Sequence, residues 1–282
     1  MADARDFHDV VDSVWHGSID IHVHAGPDPV AARRFDAYEM AVAARDAGMR
    51  AVIFKSHEYP TVPVAYVLNK LISDFTVFGA IALDHEVGGL NPAALEASAK
   101  MGAAKVWMPT YAADHWSTAL YGKPGIKVLD EKGALLPVVH DILDVVEQYG
   151  MILGTGHLST PEQLELVRVA RQRDLKTVVT HADMWIPVDA QVEMAGLGAY
   201  IEHSVVGCMP GSLLWDTQQV AEAVRAVGPE FSILSTDLGQ THNPAPAEGL
   251  RMFIASMLRA EFSAEQVGMM VKGNPGNLLG LG

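Results

Sequence analysis

Residues 18–26 read SIDIHVHAG, and this stretch decides the fold. Ile19, Ile21 and Val23 alternate with Asp20, His22 and His24, the period of two that marks a strand, and Gly26 with Pro27 closes the run. Side chains two apart share a face, so His22 and His24 stand together at the strand's C-terminal end. Short apolar or β-branched runs recur at residues 50–55, 76–83, 105–109, 151–157, 177–181, 199–204 and 231–237, which with the first makes eight. Helical patterns lie between them, such as 36–47 ending at Gly48, 91–101 ending at Gly102, and 161–173 opened by Thr160 with Pro161 in the first turn. Eight strands alternating with helices are the count of an α/β fold of the closed (β/α)8 type, the TIM barrel, whose usual size is about 250 residues. Residues 1–282 are therefore expected to form one barrel domain. Two segments break the repeat. Residues 110–136 show no clear helix but carry Tyr111, Trp116, Tyr121 and a hairpin pattern, IKVLDEKGALL, and are expected to act as a lid or as an oligomer contact. Residues 248–282 are expected to be C-terminal helices.

The chain has 282 residues, 49% of them hydrophobic and 19% charged, which excludes disorder for its bulk. Its 20 Lys and Arg against 34 Asp and Glu leave a net charge of −14, with no basic stripe to neutralise phosphates, so nucleic acid and anionic membrane are excluded as partners. No apolar run reaches the ~18 residues of a membrane span, and the acidic start does not read as a secretory signal. A cytoplasmic protein with a small-molecule substrate, assembled as a homo-oligomer, is the expectation. Cys208 is the single cysteine, so no intrachain disulfide and no cysteine-based zinc knuckle forms. With 12 histidines, any metal site would be built from imidazole and carboxylate.

Such a site is legible at the strand ends. His157, His181 and Asp237 end later runs as His22 and His24 end the first, and in a closed barrel those ends converge on one mouth. Four imidazoles and a carboxylate gathered there read as a metal site, because borderline divalent ions accept these donors and lower the pKa of bound water to about 7.

The pattern His-x-His on the first strand, His on the fifth, His on the sixth and Asp on the eighth resembles that of the amidohydrolase superfamily of metal-dependent barrels, over essentially the whole chain. The ending GNPGNLLGL is similar to a tail often found in these barrels, and within the superfamily the chain resembles an uncharacterised group of short single-domain members that lack the flanking β-sandwich domain. The resemblance implies that His22, His24 and Asp237 hold the more buried metal, that His157 and His181 hold a second where one is present, and that Asp237 takes the proton of the attacking water. It implies one or two divalent ions, zinc with manganese as the other choice. Members with two metals bridge them through a carboxylated lysine near the end of the fourth strand. Here Lys105 stands at that strand's start, and the nearest substitute is Lys55, at the end of the second strand. Lys55 has three readings: a carboxylated bridge, a cation that binds substrate, or a solvated lysine. Without a bridge, one metal on His22, His24, His157 and Asp237, with His181 orienting the water, is the alternative.

Further candidate substrate contacts are His57 beside Lys55, Glu86 after the third strand, His203 at the end of the seventh, and Trp185. Asn91 reads as a helix N-cap, Arg33 and Arg34 as an anion contact or solvated arginines, and Trp107 as core. Four functions fit: a metal-dependent hydrolase of an amide, lactam, lactone or ester; a metal-dependent decarboxylase or hydratase; a metal-free lyase with Lys55 as Schiff-base amine; and a metal-bearing binding protein without turnover.

Overall fold

The computed structural model describes residues 4–212 and 214–282. Among them are nine strands: β1 (Ile19–His24), β2 (Ala51–Lys55), β3 (Thr76–Phe78), β4 (Ala80–Ala82), β5 (Lys105–Trp107), β6 (Ile152–Gly154), β7 (Thr177–Val179), β8 (Tyr200–Ser204) and β9 (Ser232–Ser235). The reading of residues 76–83 as one strand is corrected. The run breaks at Gly79 into β3 and β4 because the backbone of Val62 crosses there: a Cβ on Gly79 would sit 2.4 Å from Val62 Cα. The eight sequence runs therefore give nine strands.

The chain divides into two compact units, one of Met1–Phe54, Val67–Val77 and Glu202–Gly282, the other of Lys55–Tyr66 and Phe78–Ile201. In the first, every residue of β1 is buried, the condition of a strand covered on both faces. The segment leaving β9 runs parallel to β1: the Asp237 amide donates to His22 O at 2.9 Å and the His24 amide to Leu238 O at 2.8 Å. The tail docks under β9, where Asn274 Nδ2 donates to the carbonyls of Pro229 and Ser232, which gives the Asn of the NPGNLLGL ending a structural reason. The C-terminal stretch is helical, with a π turn at Met269–Gly273 between two short helices.

In the second unit β4, β5, β6 and β7 pair in parallel, with Ala82, Trp107, Gly154 and Val178 in register across them. Helices flank these strands. Asn91 caps Pro92–Lys100 by accepting from the Ala94 amide, and Ser159 rather than Thr160 caps Thr160–Gln172, in a reciprocal box with Glu162. The segment 110–136 does contain a helix, Asp114–Tyr121, closed by Gly122 in the left-handed region. Its N-cap is Ala113, which offers no capping oxygen, and so the usual start signal is missing. The hairpin after it forms, with Leu129 bridging Leu135, and drives Val128 and Leu135 into the hydrophobic core of this unit. No helix among the described residues is long and apolar enough to cross a membrane.

Candidate metal centre

Strand β1 delivers His22 and His24 on one face, with ring centroids 5.5 Å apart. The segment after β9 delivers Asp237, whose backbone takes a positive φ of 53°, an uncommon state for a non-glycine residue that aims its carboxylate back across β1. One oxygen, Asp237 Oδ1, lies 3.1 Å from His22 Nε2 and 3.1 Å from His24 Nε2. Two residues on, Gly239 (φ 147°) passes so close to β1 that a Cβ there would fall 2.0 Å from His24 O. The Asp237 carboxyl is held well below the usual range. Burial opposes its ionisation, but the charge and hydrogen bonds of His22 and His24 outweigh that cost.

The residues present fit a divalent ion. His22 Nδ1 donates to Glu202 Oε1 at 2.9 Å, and the same oxygen accepts from Ser235 Oγ at 2.7 Å, all of it buried. That bond keeps a proton on Nδ1, so a cation that displaces the Nε2 proton meets a lone pair beside an ionised carboxylate. Two electron-rich atoms at 3.1 Å are satisfied together by a cation between them. The spacing suits one, since ligands about 2.0–2.1 Å from zinc at tetrahedral angles stand about 3.3 Å apart. A carboxylate behind a histidine is also the arrangement that orients metal-binding imidazoles. Asp20, two residues before His22 on the same face, accepts from Thr236 Oγ1 at 2.6 Å and from the His22 and Thr236 amides. Complete burial pushes its pKa up to about 7 against those bonds.

A second histidine cluster lies within the second unit. His157 and His181, from the segments after β6 and β7, face each other Nε2 to Nε2 at 3.0 Å. His181 holds a positive φ of 26°. Rings surround the pair, among them Trp116, 4.8 Å from His157, and Trp185, 5.1 Å from His181. Nearby, Asp84 anchors a network: it accepts from the Thr110 amide at 2.7 Å, the Ala112 amide at 2.9 Å and Thr110 Oγ1, and His57 Nδ1 donates to that same hydroxyl at 2.6 Å. Burial raises the Asp84 pKa, opposed by these bonds and by the charge of Lys55. Lys55 is only 2% exposed, its Nζ 5.4 Å from the centre of the Trp107 ring, so the solvated reading of this lysine falls. Lys105 starts β5 as expected, yet its side chain runs along the strand to place Nζ 4.2 Å from the same ring.

His22, His24 and Asp237 are thus brought together, and so are His157 and His181. Trp185 is beside the second pair, and its Nε1 donates to Leu158 O at 3.0 Å. Glu86 is exposed on a short helical turn, and the buried carboxylate of that strand end is Asp84. His203 is fully buried on β8, on the face opposite Glu202. Sequence reasoning missed Glu202, Asp84, Thr110 and the role of Asp20. The signals were a Glu beside His203, an Asp at a strand end, and an Asp two before His22, in phase with both histidines.

A sequence family described as a family of unknown function (DUF6282) matches residues 17–202. No curated protein matches the sequence. Among solved structures, an amidohydrolase from Pseudomonas aeruginosa is similar with a TM-score of 0.70 at 11% identity, covering 97% of this chain and 98% of that one. The probable dipeptidase PvdM from the same organism gives 0.70 at 11%, covering 99% and 98%. A mutant organophosphorus hydrolase from Deinococcus radiodurans gives 0.58 at 14%, covering 95% and 94%. The fold is that of the (β/α)8 amidohydrolase structures, α/β with parallel strands.

Proposed function

This chain belongs to the family DUF6282, and on that premise we propose that it is a metal-dependent hydrolase of a small molecule, cutting an amide, lactam, lactone or ester with water. The observation that carries the reading is Asp237 Oδ1 set 3.1 Å from two imidazole nitrogens, one of them oriented by a buried carboxylate. The amidohydrolase, dipeptidase and organophosphorus hydrolase of similar fold support hydrolysis as the reaction class.

In this reading His22, His24 and Asp237 hold one divalent ion, zinc or manganese by the character of the donors, and His157 with His181 hold a second where one binds. A bound ion of this kind supplies Lewis acidity, polarising the scissile carbonyl and acidifying water. The chain's own residues do the rest. Asp237, kept ionised, accepts the proton of the attacking water at a carboxylate oxygen. Glu202 keeps the His22 proton on Nδ1, so that Nε2 stays a donor of its lone pair. Lys55, a buried cation beside Asp84, binds the polar head of the substrate, and His57 and Trp185 contact its body.

The test is metal content and turnover measured together. Protein loaded with zinc or manganese and then desalted should keep one or two equivalents and hydrolyse some members of a panel of lactones, esters and amides. His24→Ala should lose both properties with its circular dichroism unchanged. Wild-type protein that keeps no metal, or a His24→Ala variant with full metal and turnover, overturns the assignment.

A further inference from the structure

Three large rings lie around the His157–His181 pair, and each is open to water on part of its surface. Tyr111 is 39% exposed, and Trp116 and Trp185 are half-buried. His157 meets all three at steep angles: Trp116 at 4.8 Å and 60°, Trp185 at 5.4 Å and 69°, Tyr111 at 5.6 Å and 67°. Trp116 and Trp185 also touch each other, with centroids 5.0 Å apart.

Two of these rings are held in place. The Trp185 indole is tied to the Leu158 carbonyl. Tyr111 is clamped through its chain neighbours, since the Thr110 and Ala112 amides on either side of it both donate to Asp84 Oδ1. Its ring lies flat on His57 at 3.9 Å and 10°, and His57 is itself bonded to Thr110. Fixing an aromatic surface that still faces water adds little to folding, because the exposed face removes no apolar area from solvent. It is the preparation that lowers the entropic cost of binding a flat apolar ligand.

We propose that Tyr111, Trp116 and Trp185 form an aryl-binding wall over the His157–His181 pair, so that the hydrolase substrate is a small ester, lactone or amide that carries a neutral aromatic ring. The proposal rests on the hydrolase reading for the word substrate, while the wall itself is a property of the second unit. A cationic guest, the other ligand of aromatic walls, is disfavoured. An ion on His157 and His181 would repel it.

Benzamide and cyclohexanecarboxamide, neutral amides of similar size, separate these ideas when each is titrated calorimetrically into the full-length protein with and without zinc. Benzamide should bind about tenfold more tightly. Trp185→Leu and Trp116→Leu should each reduce that preference by about fivefold, the size of a ring–ring contact beyond its area, and Trp185→Phe should keep most of it. Equal binding of the two amides, binding of neither, or an unchanged preference in both Leu variants overturns the wall. If the preference appears as described while no ester, lactone or amide is hydrolysed, the wall stands and the hydrolase reading falls. Turnover of aliphatic lactones by protein that shows no aryl preference has the opposite meaning.

Discussion

The two histidine clusters differ in what faces the imidazoles. In the first unit His22 and His24 look onto a carboxylate, and a second carboxylate, Glu202, stands behind His22. In the second unit His157 and His181 look at each other across 3.0 Å, with indole and phenol rings around them. Among the described residues, the group of three donors gathered within 4.8 Å is His22, His24 and Asp237. The two clusters therefore suit different ligands. Anionic donors hold a dication tightly and suit proton transfer, whereas an imidazole pair lined by aromatic surface is a weaker cradle for charge and a better one for an apolar body.

The contrast between the two clusters is largest at Asp237. Asp237→Asn keeps the size and one oxygen but removes the proton acceptor, so kcat should fall by roughly 10²- to 10⁴-fold with metal partly retained. A near-normal kcat by steady-state assay would move the base out of the first cluster. Glu202→Gln is next. It keeps a hydrogen-bond acceptor for His22 but loses the charge, and metal affinity measured by competition with a chelator should drop by about 10- to 100-fold. An unchanged affinity would reduce Glu202 to a packing role and make the two clusters more alike.

The smallest effect comes from a first-unit carboxylate outside the cluster. Asp28 accepts from the Val30 and Ala31 amides and pairs with Arg33. Burial raises its pKa, but these bonds outweigh burial and leave it lowered. A lowered folded pKa contributes stability that is present above the unfolded value of about 4 and is lost as pH falls through the folded one. Asp28→Asn should therefore cost about 1–2 kcal/mol near neutral pH, and the gap in urea unfolding should close in acid, with metal content unchanged. A gap that persists at pH 2 would place the effect in packing.

How far the sequence revealed this comparison depended on geometry that a strand imposes on its residues. His22 and His24 were legible because alternation fixes their common face, and His157, His181 and Asp237 because each ends an apolar run. Glu202 was hidden by its neighbour. In the run AYIEHS two polar residues are adjacent, the pattern alone does not say which one faces inward, and the structure turns Glu202 toward His22. Asp84 was masked in the same way by Glu86. The helix Asp114–Tyr121 lacked a capping residue, and the break at Gly79 depends on the distant approach of Val62, which no local pattern encodes.

The contact at Gly239 bears on how such a site can change over generations. The donors from the two ends of the chain meet because a strand segment slides past His24 where a hydrogen atom stands in place of a methyl group. Donor identity and donor alignment are therefore inherited separately. A lineage could exchange one of the three donor side chains for another and keep the candidate site aligned. A lineage that loses the glycine would keep every ligand in its sequence and still pull them out of line. Descendants judged by these three side chains alone would be misread as keeping the cluster, and position 239 is the place to look first.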